Sequence, residues 1–282
     1  MPLRIASCQF PVTGDIQKNA HYVRRYMNAA AEKGAHLLHS SETCLSGYVN
    51  FDFPGFSNFD WALLRAETSR IRELALDLGI WVVLGSTHYL DRKTPPTNCL
   101  YLIDPKGKIV DRYDKCMLTG CDQQGYSAGN RLVTRTVNGV KLGFAICYDA
   151  CFPQIYAAYR AKQVEVMLHS FYNAGHGGPT CLCEFTPAKV VTRCADNALW
   201  AIANNSTRHY SAWASLVARP DGTTAQRLPR GRAGMLVQDF PAEIPANGWL
   251  HNALPLRLAA NQEMWLGKPT DHPRQTDGRS EP

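Results

Sequence analysis

The stretch Lys141–Tyr156, KLGFAICYDACFPQIY, decides how the rest of this chain is read. Leu142 to Ile146 form a short apolar run, the pattern of a strand buried on both faces. Soon after it, Pro153 is placed to open a helix, because its fixed φ suits the first helical turn. Cys147 stands at that strand-to-helix junction. A thiol there lies near a helix N-terminus and a run of backbone N–H groups, which lowers its pKa and offers donors to a developing oxyanion. Taken alone, Cys147 reads either as a nucleophile or as an ordinary buried strand cysteine.

Outward from this stretch, strand and helix patterns alternate. RLVTRTVNGVKLGF predicts a hairpin turned at Asn138-Gly139, the strongest short turn signal in the chain. Beyond the Pro153–Ala161 helix come a strand in VEVMLHSFY, the glycine-rich loop NAGHGGP, a helix ending near Asn197, a strand in LWAIANNS and a hairpin at Pro220-Asp221-Gly222. Toward the N-terminus, LRIASCQF and AHLLHSSET read as strands, separated by a helix that Asp15 caps and Gly34 stops. A long loop rich in Gly, Phe, Asn and Pro spans Cys44 to Asp60, long enough to be functional. A second helix, Trp61–Leu78, is followed by the strand IWVVLGSTHYL and by a hairpin in CLYLIDPKGKIVDRYDK. This alternation predicts a layered α/β domain with helices covering a sheet. Residues 1–240 read as one domain, and 241–282 as an extension whose last residues are expected to be disordered.

Composition narrows the class. The 282 residues carry a net charge of +6 and are 45% hydrophobic, enough for one sizeable core. The basic residues are dispersed, and the nearest approach to a cluster, RLPRGR at Arg227–Arg232, reads as a solvated loop, so a nucleic-acid partner is not expected. No signal peptide and no transmembrane run are legible, and a cytoplasmic protein with no membrane association is expected. The ten cysteines include no CxxC pair, which argues against a zinc site or a redox pair. Most read as reduced, small apolar side chains, with a redox-sensitive site as the sharper alternative for Cys44, Cys116 and Cys151.

Two other residues invite chemistry. Glu42 ends an apolar strand and precedes the Gly-rich loop, the end of a strand at which α/β sheets tend to hold functional groups. Lys115 closes the strand IVDRYDK. Alone, Glu42 also reads as a cap and Lys115 as a surface lysine.

Together, three local patterns resemble the signatures of the nitrilase, or carbon–nitrogen hydrolase, superfamily. HLLHSSETCLSGY is similar to the first, IVDRYDKCML to the second and KLGFAICYDACFP to the third, and the flanking organisation agrees from about Leu3 to Phe240. The resemblance implies a four-layer α-β-β-α sandwich, assembled as a homodimer or larger homo-oligomer through the helices after Cys147 and the C-terminal extension. It implies Cys147 as nucleophile, Glu42 as general base and Lys115 as stabiliser of the tetrahedral intermediate. No metal and no organic cofactor are called for. The substrate expected is a small linear amide or N-carbamoyl compound, since Cys147-Tyr148-Asp149 is closer to the amidase and carbamoylase branches than to nitrilases. Alternatives are an acyltransferase using the same thioester, or a weakened relative that binds or regulates.

This sequence departs from the superfamily pattern in two places. The second glutamate of many members has Asp122 nearest its position, with Gln123 and Gln124 as neighbouring alternatives, and the short segment from Lys115 to Gly129 suggests an open pocket wall. Cys151-Phe152-Pro153-Gln154 also lacks the relatives' charge pair. Asp149 keeps its place and is expected to orient backbone. Tyr48, Asp122, Tyr148, Tyr172 and Asn173 are the expected substrate contacts, and His176, flanked by glycines, reads as a mobile loop residue.

Overall fold

A computed structural model describes residues 2–242 of the chain. The first strand, β1 (Leu3–Gln9), is buried almost throughout. Helix α1 (Ile16–Glu32) follows, its N-terminus capped by Asp15, whose carboxylate accepts from the Lys18 N–H. Next come β2 (Leu37–His39) and α2 (Trp61–Leu78), the latter closed by Gly79 at φ +64°. Strands β3 (Trp81–His88), β4 (Thr97–Ile103) and β5 (Ile109–Asp114) complete the first half.

The second half repeats the scheme. The hairpin β6 (Thr134–Val137) and β7 (Val140–Ile146) is turned by Asn138 and Gly139, both at positive φ. Then follow α3 (Pro153–Ala161), β8 (Val166–Ser170), α4 (Leu182–Asn197), β9 (Trp200–Asn204) and the hairpin β10 (Leu216–Ala218) with β11 (Thr224–Arg227). The last strand is β12 (Gly234–Phe240).

The strands form two six-stranded sheets, ordered β12-β1-β2-β3-β4-β5 and β11-β10-β9-β8-β7-β6. Each has three parallel central strands, β1-β2-β3 in one and β7-β8-β9 in the other. Alternation along the strands separates the faces. Leu3 and Ile5 of β1 join Leu142, Phe144 and Ile202 in the core between the sheets, while Ala6 and Cys8 pack with Val23 and Met27 of α1. A third core sits between the second sheet and α3 and α4. The result is the expected α-β-β-α sandwich.

The structure differs from the sequence reading at several points. β12 was not legible as a strand; it pairs antiparallel with β1 along the whole of that strand, from Leu3↔Phe240 to Gln9↔Gly234. In AHLLHSSET only Leu37–His39 is strand, because Ser40 to Glu42 leave the sheet into a turn. His176 is not free: its backbone exchanges hydrogen bonds with Tyr210, at 3.4 and 3.0 Å. The expected C-terminal extension lies outside the described residues beyond Ala242. No helix among the described residues is long and apolar enough to cross a membrane.

Candidate active site

Both sheets deliver their chemistry at the same end. Glu42 lies past the C-terminal end of β2, Lys115 directly after β5, Cys147 directly after β7, and Tyr172 and Asn173 just past β8. The C-terminal ends of parallel strands are where an open sheet leaves room for a ligand. The backbone before Glu42 is fixed by a close approach. A Cβ on Gly85 of β3 would come within 1.9 Å of the Ser41 carbonyl oxygen, so only glycine fits beneath this turn.

Glu42, Lys115 and Asp122 are completely buried. The Lys115 ammonium is 2.8 Å from Glu42 Oε1 and 2.8 Å from Asp122 Oδ2, so one cation is clamped between two carboxylates. Glu42 Oε1 also accepts from Asn98 Nδ2 at 2.8 Å, and Oε2 accepts from the backbone N–H of Tyr172 at 2.8 Å. Asp122 accepts from the Tyr48 hydroxyl and from the Thr119 N–H, the latter at 2.8 Å. Gln123 and Gln124 are exposed, which leaves Asp122 as the residue that reaches Lys115. The segment from Lys115 to Gly129 does not leave the wall open. It folds into a 3-10 turn over the lysine and closes with the Gly129 N–H donating to the Lys115 carbonyl at 2.8 Å.

Cys147 is a non-glycine residue at φ +44°, in the left-handed region and at the start of a 3-10 turn through Cys151. Asp149 holds that turn. Its Oδ2 accepts from the Ile146 N–H and the Tyr113 hydroxyl, and its Oδ1 from the Met117 N–H, at 2.7–2.9 Å. It orients backbone, as expected. The Cys147 sulfur receives the Asn173 side-chain amide at 3.5 Å. Trp213 Nε1 and Thr186 Oγ1 both donate to the Asn173 side-chain oxygen, which fixes the NH2 on the thiol side.

Electrostatics follow from burial opposed by charge. Burial pushes Glu42 above the usual carboxylate range and Asp122's charge adds to the rise, while Lys115 opposes it. Burial also works to raise Asp122, but Lys115 and the Tyr48 hydroxyl overcome it and hold the group low. For Lys115 the desolvation penalty is outweighed by Glu42 and its neighbours, which hold the ammonium well above its ordinary range. The lowering expected for a thiol near a helix N-terminus is not what the site imposes on Cys147: burial and then Glu42 push the thiol up, with Lys115 acting against them. The arrangement provides a neutral thiol, a carboxylate of raised basicity and a fixed cation within electrostatic reach of one another.

Of the other expected contacts, Tyr48 and Tyr172 pack against each other at a tilt of 31° with ring centroids 5.1 Å apart, and Asn173 reaches the thiol. Tyr148 is placed differently: its ring is exposed and packs edge-on against Phe152, so only its backbone adjoins the Cys147 turn. Sequence reasoning missed Asn98, Trp213 and Asn205, whose Oδ1 accepts from the backbone N–H of Asn173 at 2.7 Å. Asn98 left a signal, being an amide side chain in a strand that runs on into the largely apolar CLYLI of β4. Among the described residues, no group of three or more His, Cys, Asp or Glu side chains is placed to hold a metal ion.

The chain is similar to several known proteins. The deaminated glutathione amidase of Homo sapiens is 26% identical over 246 residues, covering 82% of this chain and 74% of that protein. The deaminated glutathione amidase of Yersinia enterocolitica is 29% identical over 109 residues. That match spans 38% of the Yersinia protein, and a match to the Caenorhabditis elegans nitrilase and fragile histidine triad fusion protein spans 39% of that protein. In fold, the chain resembles a mutant amidase from Nesterenkonia sp. AN1 in complex with butyramide. That likeness has a TM-score of 0.75 and 24% identity, and covers 85% of this chain and 91% of that one. The carbon-nitrogen hydrolase family model matches residues 4–244. With that match over most of its length, the chain belongs to the carbon-nitrogen hydrolase family.

Proposed function

We propose that this protein is a cysteine-dependent amidohydrolase that cleaves the C–N bond of a small linear amide or N-carbamoyl compound through a thioester. The observation that carries this reading is the buried Lys115–Glu42 pair at 2.8 Å, beside a thiol held by Asn173. That the human and Yersinia relatives are named amidases, and that a neighbour of the same fold was solved with butyramide, favours an amide over a nitrile.

Glu42 takes the Cys147 proton as the sulfur attacks the amide carbon. The developing oxyanion is met by the Lys115 ammonium and by the backbone N–H of Tyr148. Glu42 then passes the proton to the nitrogen, ammonia departs, and the acyl group remains on Cys147. Water, deprotonated by Glu42, attacks the thioester, and the acid and free thiol are regenerated. Asp122 fixes Lys115 from its other side, while Tyr48, Tyr172 and Asn173 wall the acyl group. No step asks for a metal or an organic cofactor.

The test is ammonia release by wild type and Cys147→Ala from a panel of amides, N-carbamoyl amines and nitriles, with intact-mass detection of an acyl adduct. Ammonia from wild type alone, with the adduct on Cys147, supports the reading; activity surviving in Cys147→Ala sinks it. Adding hydroxylamine separates hydrolysis from acyl transfer, because an acyltransferase diverts the acyl group to hydroxamate. We further propose a homodimer through the face formed by the Cys147–Cys151 turn and α4, where Phe185 and Tyr148 leave large apolar surface exposed. A monomeric mass by light scattering would overturn that assembly.

A further inference from the structure

Asp52 lies in the long loop between β2 and α2, away from the three residues assigned to chemistry. Its side chain is fully buried. Oδ2 accepts from the backbone N–H of Tyr48 at 2.8 Å, and Oδ1 accepts from the Tyr172 hydroxyl at 2.9 Å. Arg208, just past β9, donates to the same Oδ1 and, at 3.1 Å, to the Tyr172 hydroxyl oxygen, so the buried charge has its counter-charge. The seat is tight. A Cβ on Gly14 would come within 2.4 Å of the Asp52 carbonyl oxygen, and Gly47, at φ +75°, has the Asp52 Cβ 3.2 Å from where its own would be.

Each of the two residues that Asp52 holds also grips one of the carboxylates flanking Lys115, alongside Asn98 and Thr119. Tyr172 donates its backbone N–H to Glu42 Oε2 at 2.8 Å. Tyr48 donates its hydroxyl to Asp122 Oδ1. The rings of Tyr48 and Tyr172 lie against each other, so displacing one disturbs the other. One carboxylate therefore ties together the loop after β2, the segment after β8 and the turn after β9. We infer that Asp52 is a positioning residue for this site: with Arg208 as its counter-ion, it sets Tyr48 and Tyr172, and through them the placement of Asp122 and Glu42 about Lys115.

This inference rests on the amidohydrolase reading of Cys147, Glu42 and Lys115, but its test does not depend on a known substrate. Asp52 touches no reacting atom in that scheme. It acts through two side chains, and small misplacements of catalytic groups are costly in rate, an ångström being worth about a hundredfold.

The experiment compares wild type, Tyr172→Phe and the double variant Asp52→Asn/Arg208→Met. The double variant removes one negative and one positive charge, so the local net charge is unchanged and any pH shift reports geometry. Two profiles are recorded against pH: the rate of iodoacetamide labelling at Cys147, read by peptide mass spectrometry, and kcat and KM on the best amide. Loosening Tyr172 and Tyr48 weakens hydrogen bonds to the ionised carboxylates, so the acid limb of both profiles should move to higher pH. In the double variant kcat should fall by at least about tenfold, with KM within about threefold. Tyr172→Phe, which loses a hydroxyl alone, should move both limbs the same way by less.

Unmoved profiles in both variants would overturn the inference, whether activity is kept or is lost only in step with the folded fraction measured by thermal melting. If the double variant does not fold, Tyr172→Phe decides by the same criterion. If wild type hydrolyses no amide, the amidohydrolase reading fails, while the labelling profile at Cys147 still tests Asp52.

Discussion

Lys115 and Asp122 meet at 2.8 Å, with both side chains completely buried. An aspartate achieves this reach because its backbone is carried inward by the turn that begins at Thr119, whose N–H and hydroxyl both donate to Asp122 Oδ2. The charge of Asp122 raises the pKa of both Glu42 and Cys147. In Asp122→Asn that push is lost and Lys115 is left to Glu42 alone, so both groups titrate lower. The acid limb of kcat/KM should therefore move to lower pH, with kcat reduced by about tenfold. A pH–rate profile that stays in place, or moves upward, would contradict this coupling.

Lys115→Met leaves two carboxylates facing each other with no cation between them. Removing one partner of a buried ionic cluster costs about 3–5 kcal/mol, because the remaining charge is desolvated and unpaired. Urea denaturation near neutral pH should show a loss of that size alongside the loss of activity. Adding Asp122→Asn to Lys115→Met should restore part of the stability without restoring turnover. A double variant less stable than the single one would mean that the carboxylates do not repel as described.

Gly85 supports the turn that carries Glu42. A methyl group there would collide with the Ser41 carbonyl, at 1.9 Å, and would meet the Thr43 nitrogen at 3.0 Å. Gly85→Ala should destabilise the fold by about 1–3 kcal/mol and displace Glu42, with turnover reduced well beyond the change in folded fraction. Gly177→Ala, where nothing lies within 4 Å of the added Cβ, serves as the control and should melt like wild type. Equal behaviour of the two variants would refute the steric argument.

His39 is buried between the sheets, its ring bridging Ser7 Oγ at 3.2 Å and Ser170 Oγ at 2.8 Å. Burial lowers its pKa to about 3, against the ordinary 6.5 that an unfolded chain has. Between those values the unfolded state binds a proton that the folded state does not, so the stability contributed is full above about pH 6.5 and is lost as pH falls toward about 3. The slope for one such group is about 1.4 kcal/mol per pH unit. Glu42 and Asp149, raised by burial, oppose this in wild type, so a comparison is needed. His39→Gln should flatten the acid slope of unfolding free energy between pH 6 and 5 by about one proton's worth. An unchanged slope would show that His39 does not titrate across folding.

The sequence by itself determined most of the local elements and singled out Glu42, Lys115 and Cys147 as the candidates for chemistry. The bounds of α2, the Asn138-Gly139 hairpin and the Pro153 helix start are set by short-range rules of capping, turn geometry and apolar period, which act within a few residues. The three motifs around Glu42, Lys115 and Cys147 are likewise local, and each survives as a string. Tertiary structure decided what those strings cannot encode. β12 became a strand only by pairing with β1, more than two hundred residues away, where its half-polar pattern gives no alternation to read. Asp122 rather than Gln123 or Gln124 reaches Lys115 because a single turn aims one side chain inward and leaves the next two in water. Asn98 reaches Glu42 across 56 residues, and Asp52 reaches Tyr172 and Arg208 across 120 and 156. Their roles are fixed by which buried donors and acceptors must be satisfied once the two sheets close on each other.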